Sequence, residues 1–261
     1  MTIIGTRDTL VLISRSNMST LTDRESELLK AMIDEYILTA EAVGSETIER
    51  KYPKLGVSPA TIRNEMAKLT KLGYLRQPHT SAGRVPTPQA MKFYIDQLMK
   101  EKQLSTAEEV AVKDQIWDYR NEMDKLLREA THTLADKTKT MAVATTDEGD
   151  VYFSGVANIL DMPEFYDIEA TRAVLSLVDE VARLQDIFLR HEVEDDVHVI
   201  FGEDLGIDPL RSCGFVAARF QTGTQRKGAL GIVGPTRLNY PYVIPVVRYV
   251  NDLLIDLVRR W

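Results

Sequence analysis

From Arg50 to Pro88 the chain carries eight Lys or Arg and a single acid, Glu65, although the whole 261-residue protein has a formal net charge of −7. A local excess of positive charge is typical of proteins that bind duplex DNA. The stretch also reads as helix, tight turn, helix and hairpin, which is a common DNA-binding arrangement. The basic residues are Arg50, Lys51, Lys54, Arg63, Lys68, Lys71, Arg76 and Arg84, with Lys92 just beyond.

The central element of this stretch is a helix predicted from Ser58 to Leu72. Ser58 is a suitable N-cap, Pro59 is favoured at the first helical position, and Gly73 can end the helix in a left-handed conformation. Apolar residues recur at helical spacing and should form its buried stripe. The opposite face and its flanks carry small, hydrogen-bonding and basic residues: Ala60, Thr61, Arg63, Asn64, Lys68 and Lys71.

These residue types suit a recognition helix in the major groove of DNA. Asn64 can bond adenine bidentately, Arg63 can bond guanine, and Thr61 can contact a thymine methyl group. Lys68 and Lys71 are expected to contact phosphates, which position a protein without reading sequence. A merely solvated face would be the commoner explanation for one isolated helix. The helix-turn-helix context and the scarcity of acids favour DNA recognition instead.

Two helices precede this one, and a hairpin and a helix follow it. Thr22 and Glu25 form a capping-box pattern that begins the first helix. Ser45 is expected to cap a second helix that runs to about Tyr52, with a turn at residues 53–56. Residues 74–86 form two short extended runs around a polar tip, which predicts a wing. Thr87 and Pro88 then begin a fourth helix.

The wing supplies further candidate contacts. Arg76 and Arg84 are expected where phosphates or the minor groove pass. A histidine such as His79 is more often a hydrogen-bonded turn residue than a base reader, and nothing nearby completes a metal site. The predicted DNA-binding residues are Ser45, Ser58, Ala60, Thr61, Arg63, Asn64, Lys68, Lys71, Arg76, His79, Thr80, Ser81 and Arg84.

Charge distribution, cysteine content and the length of the apolar segments limit the remaining classes of function. Residues 1–100 have a net charge of +3 and residues 101–261 a net charge of −10, so DNA contact is expected from one half only. The single cysteine, Cys213, excludes an internal disulfide and is expected to be a buried small hydrophobe in a cytoplasmic protein. No segment approaches the roughly 20 apolar residues of a membrane span. Residues 1–20 are expected to form a flexible leader that includes an apolar run at 9–13.

The second half predicts an α+β domain. Residues 105–140 read as one long helix whose apolar stripe could pair with a second copy or pack on its own domain. Strands are expected at 141–145, 151–157, 197–201, 214–220 and 227–233, with helices at about 164–190 and 241–261.

Three segments of this half contain residue types found in enzyme or metal sites, but their contexts argue against such sites. The run from His191 to His198 reads as a solvated acidic loop. The glycines between Gly228 and Gly234 lack dinucleotide spacing. Asp147, Glu148 and Asp150 surround a glycine that indicates a turn. Because no nucleophile, base and orienting group occur together, we predict no enzyme, no cofactor and no metal.

Several long motifs resemble the heat-inducible transcription repressor family (HrcA). The strings Gly-Val-Ser-Pro-Ala-Thr-Ile-Arg-Asn-Glu-Met at 56–66 and Gln-Pro-His-Thr-Ser-Ala-Gly-Arg-Val-Pro-Thr at 77–87 are the strongest. Residues 35–37, 43–45, 155–165 and 231–240 agree as well. The resemblance implies a homodimeric repressor that binds an inverted-repeat operator ahead of chaperone genes, is supported by the chaperonin and is released on heat stress.

The chain also departs from that family. Members usually carry a long central region, with much of a GAF-like domain and a dimerising insert, where this chain has only residues 141–150. We therefore expect a leader at 1–20, a winged helix-turn-helix domain at 21–104, and a long helix with a shortened GAF-like α+β regulatory and oligomerisation domain at 105–261. Two rivals remain: a winged-helix regulator of other genes controlled by a small ligand, and a protein-interaction adaptor that does not bind DNA.

Overall fold

The computed structural model describes residues 21–120, 122–189, 197–222 and 227–258. Within these ranges the chain divides into two compact units, one ending at Lys100 and the other beginning at Glu101. The predicted leader at 1–20 lies outside the described residues. None of the described helices is long and apolar enough to cross a membrane.

The described part of the first unit contains four α-helices and a two-stranded hairpin. Helix α1 spans Asp23–Thr39, α2 spans Ser45–Lys51 and α3 spans Pro59–Lys71. Strands β1 (Leu75–Arg76) and β2 (Val85–Pro86) pair antiparallel. Helix α4 spans Pro88–Phe93 and continues in a π-helical turn, Tyr94–Leu98. The predicted order of helix, turn, helix and wing is therefore present.

Local chemistry begins these helices as expected. The Thr22 side chain accepts a hydrogen bond from the Glu25 amide, and the Glu25 carboxylate accepts one from the Thr22 amide, so the predicted capping box forms. Thr87 caps α4 through the Ala90 amide. Tyr94 then donates to Asp34 Oδ1 of α1 at 2.6 Å. Burial, together with this bond, raises the pKa of the Tyr94 phenol.

The second unit is built on a five-stranded antiparallel sheet in the order β4-β3-β7-β6-β5. Five helices accompany it. The strands are β3 (Met141–Thr146), β4 (Val151–Ser154), β5 (Val197–Phe201), β6 (Cys213–Gln221) and β7 (Lys227–Pro235). The helices are α5 (Thr106–Trp117), α6 (Met123–Thr138), α7 (Ile168–Asp179), α8 (Val181–Leu189) and α9 (Tyr240–Val258).

Helices cover both faces of this sheet. Met141 and Val143 of β3 join the core that α7 and α8 complete, whereas Ala142 and Ala144 point to the opposite face and are also fully buried. Alternate side chains of a strand point to opposite faces, so burial of every β3 residue requires cover on both sides. Helices α6 and α9 provide the second cover. The α+β class is therefore confirmed.

The prediction of one long helix at 105–140 is wrong. Helix α5 ends at Trp117 and α6 begins at Met123. In the turn between them the Tyr119 amide donates to the Ile116 carbonyl, and the Arg120 guanidinium donates to the Trp117 carbonyl. These bonds satisfy the carbonyls at the end of α5 and let the chain change direction.

The apolar stripe of these two helices packs within its own domain. Val112 and Ile116 of α5, and Leu126 and Leu134 of α6, are fully buried in the single chain. Of the two partners left open by the sequence, the chain's own core is therefore the one observed. These four side chains are therefore not available to pair with a second copy.

Other boundaries differ for similarly local reasons. The helix predicted at 164–190 is split into α7 and α8 at Glu180, and Asp167 starts α7 by accepting a bond from the Glu169 amide. The strand predicted at 151–157 ends at Ser154 because Gly155 takes a left-handed φ of 72°. Cys213 is fully buried, and burial raises the pKa of its thiol to about 12, as expected of a packing residue.

Candidate nucleic-acid interface

Helix α3 begins at the N-cap residue that its sequence predicted. The Ser58 side chain accepts a hydrogen bond from the Thr61 amide, and Pro59 occupies the first turn. The Ser58 and Thr61 hydroxyls lie 3.1 Å apart and also bond each other. Gly73 follows the helix with a φ of 84°, which is the left-handed conformation that was predicted.

Helix α3 has one buried apolar face and one exposed polar face, as the apolar spacing predicted. Ile62, Met66 and Leu69 are buried against the rest of the unit. Solvent reaches the side chains of Ala60, Arg63, Asn64, Lys68 and Lys71, while Thr61 is half-buried. The helix therefore presents hydrogen-bonding and basic groups along one side.

The single acid of the basic stretch does not belong to that exposed side. Glu65 is buried, and its carboxylate forms an ion pair with Arg24 of α1. Its negative charge is therefore compensated within the unit. The exposed face of α3 carries no acidic side chain, so a polyanion could approach it without meeting a carboxylate of that helix.

Two of the eight basic residues also pair with buried acids of α1. Lys51 pairs with Glu35, and Lys68 pairs with Glu25, both of which are carboxylates of low exposure. Lys68 supplies the largest influence that holds the pKa of Glu25 below its usual value of 4.5. Both lysines were included among the positive charges available to DNA, because a sequence does not show which residues far apart in the chain form ion pairs.

The wing is braced at its base by main-chain bonds to the loop between α1 and α2. The Val43 and Arg84 amides each donate to the other residue's carbonyl at 2.9 Å. Gly83 makes this approach close, since a Cβ there would lie 2.4 Å from the Val43 carbonyl oxygen. The Arg84 side chain donates to the Thr70 hydroxyl of α3 at 3.2 Å. Wing, loop and recognition helix are therefore joined.

The tip of the wing is held by one side chain. The Gln77 amide nitrogen donates to the carbonyls of Thr80 and Ala82, at 2.9 and 3.0 Å. His79, Thr80 and Ser81 are consequently exposed on a loop that is cross-linked from within. Preorganisation of this kind lowers the entropy that is lost on binding.

A groove of about 580 Å³ runs between the start of α2, the side of α3 and the wing. Ser45, Thr47 and Arg63 border it from the helices, and Thr80, Ser81 and Arg84 are among the wing residues that border it. The structure therefore brings residues predicted from three separate segments to one cleft. Arg76 is exposed on β1 and is not among the residues that border this groove.

The helix-capping role predicted for Ser45 is wrong. Gly44 occupies the N-cap position of α2 with an extended conformation and no side-chain cap, and Ser45 is already the first helical residue. The main-chain bridge from Val43 to the wing fixes the chain in this register. The Ser45 side chain is buried at the edge of the groove.

Sequence reasoning missed Gln77, Val43 and Gly83 as parts of this interface. Gln77 holds the tip of the wing through its side chain, Val43 bonds the wing through its main chain, and Gly83 allows the close approach between them. None of these roles produces a periodic pattern in the sequence. The requirement for glycine at position 83 depends on the Val43 carbonyl, which is 40 residues away in the sequence.

The three segments considered for other chemistry have structural places in the second unit. Asp147, Glu148 and Asp150 belong to the turn from β3 to β4, where Gly149 has a φ of 96° and Asp147 accepts the Lys227 amide. The glycines from 228 to 234 lie within β7. Residues 191–196 lie outside the described ranges, and His198 is a buried residue of β5. Among described residues, no group of three or more His, Cys, Asp or Glu could hold a metal ion.

Several curated proteins similar to this chain carry the same name. A protein of Symbiobacterium thermophilum named heat-inducible transcription repressor HrcA is 28% identical, with 91% of this chain and 98% of that protein covered. A protein of the same name from Pelotomaculum thermopropionicum is 27% identical, with 92% and 97% covered. The first alignment extends over 337 positions, but 91% of 261 residues is only about 240. The relative therefore has about a hundred residues that this chain lacks, which agrees with the expected shortening.

Comparison of folds and of family models gives two further findings. A crystal structure described as a hypothetical protein at 2.2 Å resolution matches with a TM-score of 0.73 at 18% identity, covering 92% of this chain and 99% of that one. The match shows a shared fold. The model of the HrcA protein C-terminal domain matches residues 85–244, which is more than half of the chain. This chain belongs to the HrcA family.

Proposed function

We propose that this chain represses transcription of heat-shock genes by binding operator DNA through α3 and the wing. The observation that carries the proposal is the exposed side of α3, where Asn64, Arg63 and Lys71 stand with no acid because Glu65 is buried and paired. Family membership and the name of the relatives, heat-inducible transcription repressor, support the same function. The action is non-enzymatic and takes place in the cytoplasm.

Base recognition is assigned to the exposed first turns of α3. Asn64 reads adenine and Arg63 reads guanine, because each can form two hydrogen bonds to one base edge. Thr61 and Ala60 lie where a thymine methyl group would be contacted. Lys71 contacts a phosphate, and contacts to DNA backbone position the protein without specifying sequence.

The wing contributes backbone or minor-groove contacts beside the recognition helix. His79, Thr80 and Ser81 form its exposed tip, and Arg76 projects from β1. Arg84 is anchored to Thr70 of α3 and braces the base of the wing beneath these contacts. The hydroxyls of Ser45 and Ser58 lie near the starts of α2 and α3, where backbone phosphates approach helix amides.

The operator is an inverted repeat and the repressor binds it as a homodimer. A twofold-symmetric protein places one recognition helix in each half-site, so the symmetry of the DNA matches that of the protein. The unit that ends at Lys100 is the DNA-binding domain, and the unit that begins at Glu101 is the domain for regulation and oligomerisation. The chaperonin is the partner that supports repression, and heat stress releases the operator.

Fluorescence anisotropy at two salt concentrations tests this function. The probes are a duplex with the inverted repeat that the family binds and a scrambled duplex of equal length. Preference for the operator of about 10³-fold or more supports the repressor. Equal and salt-sensitive binding to both duplexes contradicts the proposed target, and absence of binding at low salt favours an adaptor that does not use DNA.

A further inference from the structure

Four charged side chains connect helix α1 to the recognition helix α3 in alternating order. Arg24 and Glu25 are neighbours at the start of α1, and Glu65 and Lys68 are one turn apart on α3. Arg24 pairs with Glu65, and Glu25 pairs with Lys68. We call these four residues the α1–α3 quartet. Each helix gives one cation and one carboxylate, so the two pairs resist sliding of one helix along the other.

Each oxygen of the Glu25 carboxylate has its own partner. Oε2 accepts a hydrogen bond from the Thr22 amide at 2.9 Å, and Oε1 pairs with Lys68. The Glu25 side chain is only 6% exposed, whereas that of Lys68 is 60% exposed. Ion pairs at an open surface contribute little. Here the carboxylate end is buried, so departure of Lys68 would leave a largely desolvated charge without its cation.

The second pair depends even more on its cation. Glu65 Oε1 pairs with Arg24, and the other oxygen, Oε2, is buried and has no hydrogen-bond partner among the described residues. Removal of Arg24 would leave a buried carboxylate uncompensated, which is strongly unfavourable. Glu65 directly follows Arg63 and Asn64, so the helix position that it fixes is that of the base-reading residues.

Lys68 lies at the edge of the α3 face that is turned towards α1. At about 100° per residue, Asn64 and Lys71 project within about 20° of each other, at the centre of the exposed side. Lys68 projects about 60° from Lys71, on the flank that leads to the buried Glu65. This placement explains why Lys68 reaches Glu25 while Lys71 makes no ion pair among the residues that the structure describes.

We infer that the α1–α3 quartet sets the pose of the recognition helix, and that Lys68 is a positioning residue and not a phosphate contact. The inference rests on the proposed function and replaces the phosphate role that the sequence predicted for Lys68. Base readout requires donors to be placed within a few tenths of an ångström, so a helix held by buried pairs is better placed than one held by apolar contacts alone.

The salt dependence of operator binding distinguishes the two roles of Lys68. Each phosphate contact contributes about 0.9 to the slope of log K against log salt concentration. Lys71→Met serves as the matched control, since it removes an exposed lysine of the same helix, and it should lower the slope by about 0.9 per protomer bound. Lys68→Met should leave the slope unchanged and reduce the operator-to-scrambled preference by roughly fivefold or more, because the base-reading residues move.

Glu25→Gln gives an independent test that keeps the start of α1 intact. Glutamine can maintain the capping box, so this variant removes the charge without removing the cap. It should lower the operator preference as Lys68→Met does, and the double variant should be no worse than either single one, because all three break the same pair. Lys68→Arg should retain the preference of the wild type.

Failure of the inference and failure of the function have different signatures. If the wild type shows no operator preference, the proposed function fails. If the wild type shows that preference but Lys68→Met lowers the slope by about 0.9 per protomer and leaves the preference intact, Lys68 contacts a phosphate and the inference is overturned. Circular dichroism at the assay temperature checks folding. Should Lys68→Met unfold, Glu25→Gln decides: unchanged operator preference overturns the inference, and reduced preference supports it.

Discussion

Substitution of Gly83 by alanine should loosen the wing, although such a change often stabilises proteins. Gly83 does not have a positive φ, so alanine is compatible with its backbone conformation. At an unstrained site the change would stabilise by about 0.4–1 kcal/mol through the unfolded chain. Here the new Cβ would lie 2.4 Å from the Val43 carbonyl oxygen and 2.5 Å from its carbon. Both are backbone atoms, so the wing or the loop must move.

The movement would disrupt the two main-chain hydrogen bonds between Val43 and Arg84, each 2.9 Å long. Two such bonds contribute about 2 kcal/mol together. That exceeds the gain in the unfolded state, so the local effect should be destabilising. A loss of about 2 kcal/mol corresponds to a roughly 30-fold larger equilibrium constant for opening of this bridge, since each 1.4 kcal/mol is tenfold.

Hydrogen exchange at the Val43 and Arg84 amides measures this opening directly, because exchange reports local stability. Gly44→Ala is the neighbouring control, since a Cβ there meets nothing within 4 Å. Its exchange at the bridge should stay close to that of the wild type. Unchanged or slower exchange at both amides in Gly83→Ala would show that the close approach does not constrain the wing.

Three further predictions concern single side chains. Arg63→Ala or Asn64→Ala should weaken operator binding by about 1–3 kcal/mol and relax the base preference at one base pair per half-site, which titrations with singly substituted operators measure. Equal losses of affinity for operator and scrambled DNA would refute base reading. The Lys68 ion pair holds the pKa of Glu25 below 4.5, so the stabilisation from this pair is present above pH 4.5 and is lost as the pH falls. The stability of Glu25→Gln, measured by acid unfolding, should therefore fall less steeply with decreasing pH than that of the wild type. Identical acid-unfolding profiles would contradict this role of the pair. Gly231→Ala places a Cβ 2.3 Å from a carbonyl oxygen of β6 and should lower stability by about 1–3 kcal/mol in thermal melts; an unchanged melting temperature would contradict it.

Features encoded within a few residues were predictable from the sequence. The capping box of Thr22 and Glu25, the Ser58 cap and the left-handed Gly73 all formed as expected. The two caps join residues three positions apart in the chain, and Gly73 depends on its own conformational freedom, so tertiary structure has little chance to override these features. The placement of α3 and of the wing followed from these local signals.

Helix continuity was less predictable because apolar spacing does not distinguish one helix from two. The stripe of residues 105–140 continues in α5 and α6, yet the chain turns between Trp117 and Met123. Both helices bury their own part of the stripe against one domain. A capping box of Ser105 and Glu108 marks the start of α5, but no comparable signal marks the start of α6, since Glu122 makes no side-chain cap.

A count of basic residues in the sequence overstates the positive charge that can contact DNA. The basic residues that remain available set an upper limit on the salt dependence of DNA binding. Of the eight basic residues from Arg50 to Arg84, Lys51 and Lys68 pair with buried acids and Arg84 is anchored to Thr70. The five that are exposed and make no ion pair within the described ranges are Arg50, Lys54, Arg63, Lys71 and Arg76.

At about 0.9 per phosphate, those five residues allow a salt slope of at most about 4.5 per protomer, against about 7 if all eight contributed. Anisotropy titrations across a range of salt, divided by the number of protomers bound, measure this quantity. A slope near 7 would mean that Lys51, Lys68 and Arg84 leave their partners on binding. The acids Glu35 and Glu25 would then lose their cations inside the complex, and the bound state would have to compensate that cost. A slope at or below 4.5 means that these pairs persist on DNA, and that α1 holds the helix-turn-helix in one conformation before and after binding.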